Sequence, residues 1–443
     1  MDEELPVCVI GAGVAGLTAI KALAERSIAF DCYEMGSAIG GLWRYDNDNG
    51  RSPAYASLHV DTSKERIALE DLPMPKHWPT YLHHSQVLAY LEAYARAFGL
   101  APLITFRHEV ISVVPLEDRW SVTVRDLASG AETTRAYRAV IVANGHHWDP
   151  NLPETDGPFA GHIMHAQAYR TPEPFIGKDV VVVGAGNTAV DLAAELSWHA
   201  RSVTLSTRSG AHVLPRYVFG RPLDRWSTRM STRLPLAVQR PLYRTLLFLA
   251  RGRQGSYGFP TPAAPILSQH PTVNQDILRL VKDGHVAVRR GLSRTTEHEA
   301  VFVDGTTTRC DVIIYATGYT ISFPFLEEVV EVVENRVDLY RRVVSVDYPG
   351  LFFVGLIQPV GALPPLAEQQ AKWVSRLLGG APLPTVATMK AAIARDREEL
   401  AARYEDRPRH TIQVDYWSYL DEMRAICNEI DADADAALQV AAP

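Results

Sequence analysis

Continuous apolar runs at 7–10 (VCVI) and 180–183 (VVVV) each lead into an amphipathic stretch. Runs this short and this apolar predict strands buried on both faces, each followed by a helix lying against its sheet. Similar runs predict strands at 30–34, 139–143, 203–207, 312–315 and 351–355, and helical patterns cover 365–378 and 389–404. Strands interleaved with helices predict an α/β fold built from Rossmann-like units. The stretch 431–443 is rich in Ala and Asp and reads as a mobile tail. No repeat of solenoid period is visible.

The turns behind the two apolar runs carry chemistry. The first reads Gly11-Ala12-Gly13-Val14-Ala15-Gly16, the second Gly184-Ala185-Gly186-Asn187-Thr188-Ala189. Glycines there permit a tight turn and close backbone approach to a pyrophosphate, which then rests on the helix N-terminus. One such motif says little. Two, each in a strand–turn–helix setting, imply one protein holding two dinucleotides with electrons passing between them.

The second strand of each unit separates the two sites. The strand at 30–34 ends in Glu34, 18 residues past Gly16. An acid there accepts hydrogen bonds from an adenosine ribose and repels a 2′-phosphate, which suits FAD or NAD. The strand at 203–207 runs into Arg208, 19 residues past Ala189. Its guanidinium fork, with the hydroxyls of Ser206 and Thr207 beside it, suits the 2′-phosphate of NADPH (NADP+). The first site is therefore expected to hold FAD and the second NADPH.

These motifs divide the chain. An FAD-binding domain is expected over 1–170, an NADP-binding domain over 171–311, and a return to the first domain over 312–443. The FAD domain is then discontinuous, with the NADP domain inserted in it. A Pro-rich passage (Pro150, Pro153, Pro158, Pro172, Pro174) reads as linker between them.

A chain of 443 residues with 47% hydrophobic and 21% charged residues can build two or three ordinary globular domains. Cys8, Cys32, Cys310 and Cys427 are scattered without a C-x-x-C, which excludes a dithiol reductase and gives no zinc pattern. The start Met1-Asp2-Glu3-Glu4 is acidic, unlike a signal peptide, and no apolar run has membrane-spanning length, so a cytoplasmic protein is expected. Charge is unevenly spread. Between 213 and 255 lie nine Arg and one Asp with no Lys or Glu, so a chain of net charge −7 carries +8 there and −15 elsewhere. This Arg- and aromatic-rich insertion, extending over about 213–260, reads first as a cover over a substrate channel with arginines on its outer face. Peripheral contact with an anionic membrane is the other reading. With the rest of the chain acidic and no nucleic-acid motif present, nucleic acid is not expected as a partner.

The stretch Phe159-Ala160-Gly161-His162-Ile163-Met164-His165-Ala166-Gln167-Ala168-Tyr169 reads F-x-G-x-x-x-H-x-x-x-Y. It resembles the signature of the flavin-containing monooxygenases, class B flavoproteins of the dimethylaniline-monooxygenase type. Gly40-Gly41-Leu42-Trp43, Asp61-Thr62-Ser63-Lys64, Ser206-Thr207-Arg208, Ala316-Thr317-Gly318-Tyr319, Gly355-Leu356-Ile357-Gln358-Pro359 and Arg409-His410-Thr411-Ile412-Gln413 resemble the same family, in family order. The resemblance implies an oxygenase in which NADPH reduces FAD and the flavin captures dioxygen as a hydroperoxide. That hydroperoxide gives one oxygen atom to a soft nucleophile, the nitrogen of an amine or the sulfur of a sulfide. The protein supplies binding, orientation and exclusion of water, so no Ser/His/Asp or paired-carboxylate site is needed.

By the same resemblance, Gly11, Ala12, Gly13, Val14, Ala15, Gly16, Glu34, Gly41, Leu42, Trp43 and Thr62 would hold FAD. Asn187, Thr188, Ala189, Asp191, Ser206, Thr207 and Arg208 would hold NADP, and the Gly318-Tyr319 turn would pack near both. His165, in the linker, carries no catalytic assignment. Where relatives of the Baeyer–Villiger type have Trp in the signature, this chain has Tyr169-Arg170, which favours heteroatom oxidation over ketone oxygenation.

One position departs from the family. The loop that usually reads Asn-Thr-Ser-Lys has Asp61 in place of Asn. An ionised Asp only accepts hydrogen bonds and would repel a peroxide anion; burial would instead keep it protonated and able to donate. Asp61 is therefore the candidate catalytic residue. A largely uncoupled NADPH oxidase and, outside catalysis, a redox-sensing binding protein are the competing readings. A homodimer is expected, and no metal.

Overall fold

The computed structural model describes residues 4–404 and 407–441, which fall into two compact units. One comprises residues 1–52, 62–146 and 321–443; the other comprises 53–61 and 147–320.

In the first unit a seven-stranded sheet contains Val7–Ile10, which runs parallel to Phe30–Glu34 on one side and to the middle strand, Ala139–Val142, on the other. Beyond these lie Ile104–Phe106 at one edge and Leu351–Phe353, Val344–Ser345 and Leu339–Tyr340 towards the other, the last two joining antiparallel. Every residue of Val7–Ile10 and Ala139–Val142 is buried. A strand covered on both faces has no polar positions to alternate with, hence the continuous apolar runs. A meander of His108–Pro115, Trp120–Asp126 and Glu132–Tyr137 packs Trp120, Val122 and Val124 into one core with Cys8, Ile10 and Phe353. Helix Val14–Glu25 lies against Pro364–Leu378, which in turn lies against Tyr416–Ala441.

That last helix corrects the expectation of a mobile tail. It continues through 431–441, and only 442 and 443 of the tail lie outside the described residues. Ala favours helix over coil, and Asp431 anchors the turn by accepting from Arg376 Nε at 2.9 Å and Arg26 Nη2 at 3.2 Å.

The second unit holds a fully parallel five-stranded sheet in the order Ala287–Arg289, Ser202–Ser206, Asp179–Val183, Val312–Tyr315, His162–His165. Its limits, at 147 and 320, differ from the expected 171 and 311. Val312–Tyr315 does not return to the first unit; it pairs with Val180–Val183 on one side and with 162–165 on the other. The proline-rich passage is thus more than linker, since it contributes an edge strand. Residues 53–61 also belong to this unit, where Tyr55 packs beside Tyr169, Phe175 and Val190.

The insertion is built from short pieces: strand Val213–Leu214 paired with Thr272–Val273, the hairpin of Tyr217–Val218 and Arg221–Pro222, and helix Leu236–Arg251. Among the described residues no helix is long and apolar enough to cross a membrane.

Candidate functional site

Both glycine turns have the shape a pyrophosphate requires. At the first, Gly11 has φ +104°, and a Cβ there would stand 2.7 Å from Ala143 O. A Cβ on Gly16 would stand 1.8 Å from Gly11 O, so the helix can approach the strand only because that residue is glycine. Gly13 caps helix Val14–Glu25 without any side-chain hydrogen bond, which leaves amides of the first turn available to an anion. At the second turn Gly184 has φ +143°, Gly186 has nothing within 4 Å of its Cβ position, and helix Asn187–Leu196 likewise begins without a side-chain cap. Two open helix ends behind glycine turns fit two dinucleotide pyrophosphates.

Glu34 is buried, and both its oxygens are already held: Ala12 N donates to Oε2 at 2.7 Å and Gly36 N to Oε1 at 2.8 Å. A carboxylate has about four lone-pair sites, so it can still accept from a ribose while fixing the turn. Beside it, Gly41–Trp43 forms a single turn, with Gly41 at φ +54°, Asn47 Nδ2 donating to Gly41 O at 3.1 Å and Ser52 Oγ donating to Leu42 O at 2.8 Å. Leu42, Trp43 and Thr62 are half-buried. Lys64, two residues past Thr62, donates to the carbonyls of Lys76 at 2.8 Å and Pro75 at 3.1 Å and so pins that loop.

In the second unit the two expected hydroxyl contacts turn inward. Ser206 Oγ accepts from Leu292 N at 2.8 Å and donates to Arg290 O, and Thr207 Oγ1 accepts from Gly210 N at 3.0 Å; both residues are buried. They shape the strand end rather than face a ligand. Arg208 is exposed, and so are Arg289 and Arg290 on the adjoining strand end, where Arg289 stands opposite Ser206. Arg290 Nη1 reaches Arg208 O at 3.5 Å, and a Cβ at Gly291 would stand 2.8 Å from Arg208 Cγ. The strand end expected to meet the 2′-phosphate therefore carries three exposed arginines, two of them unforeseen.

Asp191 and Asn187 also differ from expectation. Asn187 Oδ1 accepts from Val273 N at 2.7 Å, tying the helix start to strand Thr272–Val273. Asp191 accepts from Tyr55 Oη at 2.9 Å and Asn274 Nδ2 at 2.6 Å. A buried carboxylate gathers donors to replace lost water, so this side chain is taken up inside the unit. Asp61 shares that environment: Arg216 Nη2 lies 3.4 Å from its Oδ1. Burial, then the charge of Asp191, push the Asp61 carboxyl up to about 8 against the opposing pull of Arg216. Burial raises Asp191 as well, against Arg216 and its two hydrogen bonds.

Gly318 O accepts from Asn151 N at 3.0 Å, and the Tyr319 ring lies between His147 (centroids 5.5 Å apart) and His165 (5.3 Å). Burial lowers His147 to about 4, so it is neutral at physiological pH. His165 Nδ1 accepts from Gln167 N at 3.1 Å, a cap for the next turn, in keeping with a structural role.

Set beside known proteins, the chain matches the family model described as flavin-binding monooxygenase-like over residues 5–436. The chain belongs to that family. It is similar to flavin-containing monooxygenase 5 of Rattus norvegicus, with 39% identity over 94% of this chain and 81% of the relative. It is 37% identical, over the same shares, to dimethylaniline monooxygenase [N-oxide-forming] 2 of Rattus norvegicus. Among solved structures, S-allyl-L-cysteine S-oxygenase from Allium sativum superposes with a TM-score of 0.72 at 25% identity, covering 96% of this chain and 89% of that one. The flavin-containing monooxygenase family uses FAD and NADPH, in agreement with the two turns.

Within this member of the family, Tyr55, Arg216 and Asn274, which surround the two aspartates, carry no sequence signal of a site. No local motif marks them, because Arg216 and Asp61 are 155 positions apart. Arg289 and Arg290 had a signal: adjacent arginines directly after the short apolar Ala287–Val288.

Proposed function

We propose that the protein is an NADPH-dependent flavin monooxygenase that adds one oxygen atom of dioxygen to the nitrogen or sulfur of small amines and sulfides. The second oxygen atom leaves as water, and NADPH supplies the two electrons. The observation that carries this reading is the pair of uncapped helix ends in one chain, the first beside Glu34 and the second beside Arg208, Arg289 and Arg290. The N-oxide-forming and S-oxygenase activities in the names of two relatives support the choice of heteroatom. Four free, buried thiols support a reducing, cytoplasmic setting.

FAD, when bound and reduced, supplies the oxygen activation. The chain's own residues do the rest. Gly11, Gly13 and Gly16 with Glu34 would orient the flavin dinucleotide, and Gly41, Leu42, Trp43 and Thr62 would line its site. Gly184, Gly186, Asn187, Thr188 and Ala189 would bring NADPH to its helix end, and Arg208 would take the 2′-phosphate. Asp61 would hold a proton at its carboxyl below its raised pKa and act there as a donor.

The test is a stoichiometric assay with dimethylaniline, a thioether and a simple ketone. One N- or S-oxide per NADPH consumed is expected. Ester formed from the ketone would move the reading to Baeyer–Villiger chemistry. NADPH consumption matched wholly by hydrogen peroxide would replace it with an oxidase.

A further inference from the structure

Helix Val386–Arg403 is held to the first unit by charge more than by apolar burial. Of its residues only Met389 is buried. Ion pairs take over: Arg397 Nε donates to Asp338 Oδ1 at 3.0 Å, Lys390 Nζ lies 2.7 Å from Asp347, and Arg403 Nη2 lies 2.9 Å from Asp415. Along this seam, where the helix meets residues 336–342 and 407–411, lies a cavity of about 60 Å³. That is room for roughly four water-sized oxygens.

Two tight turns bring arginines to the cavity. In one, Arg336 N donates to Val333 O at 2.8 Å across Glu334 and Asn335, at φ +51° and +62°. In the other, Val343 N donates to Tyr340 O at 3.1 Å across Arg341 and Arg342, at φ +51° and +60°. A turn with two positive φ values favours Asn-Gly, because residues with a large side chain rarely adopt that region. Arg341 pairs with Glu422, whereas Arg342 lines the cavity and donates from Nη1 to Thr411 O at 3.3 Å. An arginine kept where glycine would be unstrained argues for a use of its charge.

Arg336 and Arg342 form no ion pair among the described residues. With Asp338 taken by Arg397, Asp396 is the one carboxylate left on the described wall against Arg336, Arg342 and Arg407. Burial presses the Arg342 guanidinium towards its neutral form, and Asp396, Tyr419 and Asp338 oppose this. Tyr404, only 6% exposed, completes the wall, and its Oη is enclosed with no hydrogen-bond partner. A buried hydroxyl left so is costly. Guanidinium groups only donate, and the phenol has its proton to offer, so the fitting ligand is small, anionic and rich in acceptor oxygens. We propose that this cavity binds one tetrahedral oxyanion, phosphate or sulfate, between Arg336, Arg342 and Tyr404, and so pins helix Val386–Arg403 to the two turns.

The test is calorimetric titration of the full-length flavin-loaded enzyme with sodium phosphate or sodium sulfate in Tris chloride, at about pH 8, where phosphate is dianionic. NADP+ is present at saturation, so that its own phosphate positions are filled. Saturable binding of either oxyanion is expected, with slower hydrogen exchange over 386–404 and no such response to chloride at matched ionic strength. Arg336→Gln and Arg342→Gly should each weaken binding at least about tenfold, and Tyr404→Phe by less. Glycine accepts the backbone of the turn freely, so Arg342→Gly should keep the Tm of the parent in chloride yet lose the rise in Tm that phosphate gives the parent. That contrast separates lost binding from lost folding. Absence of saturable binding in the millimolar range overturns the proposal. Binding that survives both arginine variants overturns it too, as does equal slowing of exchange by chloride.

Discussion

Arg216 Nη2 stands 3.4 Å from Asp61 Oδ1, and this one guanidinium faces two carboxylates, since Asp191 feels the same charge. Asp191 has two further neutral donors, Tyr55 and Asn274, whereas Arg216 is the partner of Asp61 among the described residues. The proton therefore settles on Asp61.

A carboxyl whose folded pKa lies above its unfolded one keeps a proton that the unfolded chain has lost, so stability falls as pH rises from about 4 towards the raised value of about 8. Asp61→Asn removes that loss. Relative to the parent, the variant should gain on the order of 1–3 kcal/mol near pH 8 and little near pH 4. Denaturant midpoints across pH measure it, and a difference that does not change with pH contradicts the assignment.

The same ionisation should govern how well reducing equivalents reach product. Hydrogen peroxide formed per NADPH is expected to climb as Asp61 loses its proton above neutrality, and to stay flat in Asp61→Asn. Peroxide and N-oxide quantified in the same wells from pH 6 to 9 decide it (a range chosen to bracket the raised carboxyl). Parallel profiles for both proteins would remove Asp61 from the chemistry.

Cofactor preference should reside in the arginine corner. Arg208→Ala is expected to raise KM for NADPH about 10- to 100-fold, the loss of one charge-assisted pair, while leaving KM for NADH nearly unchanged. Arg290→Ala should do the same to a smaller degree. An equal loss with both cofactors would mean that the substitution disturbs the strand end instead.

Glu34→Gln replaces one of two acceptor oxygens with an amide that meets the N–H of Ala12 or Gly36 head on. Flavin should be held about tenfold less tightly, read by fluorescence of released FAD. Undiminished retention would show that the turn does not depend on the carboxylate.

Features that lie close together in the chain are legible in the sequence. The glycine turns, Glu34 and Arg208 each sit within about one βαβ unit, so spacing suffices. Ser206 departs from expectation because the groups that claim its hydroxyl, at 290 and 292, arrive from a distant strand end, whereas the Thr207 hydroxyl is taken locally by the amide of Gly210. The four residues of Val312–Tyr315 announce a strand but not its neighbours. Strand His162–His165 offers only Ile163 and Met164 as apolar signal between two histidines, too little to stand out from a proline-rich passage. The apolar flank of Leu236–Arg251 is visible as residues, but whether it points in or out depends on the packing of Gln239 and Leu247.

The position of Val312–Tyr315 sets limits on dissection. A fragment cut at 171 and 311 would remove both this strand and His162–His165, leaving Val180–Val183, three of whose four residues are buried, as a naked sheet border. Unpaired amides beside an apolar strand recruit other chains. Such a piece would come out of cells as insoluble aggregate, and a workable excision needs the span 147–320.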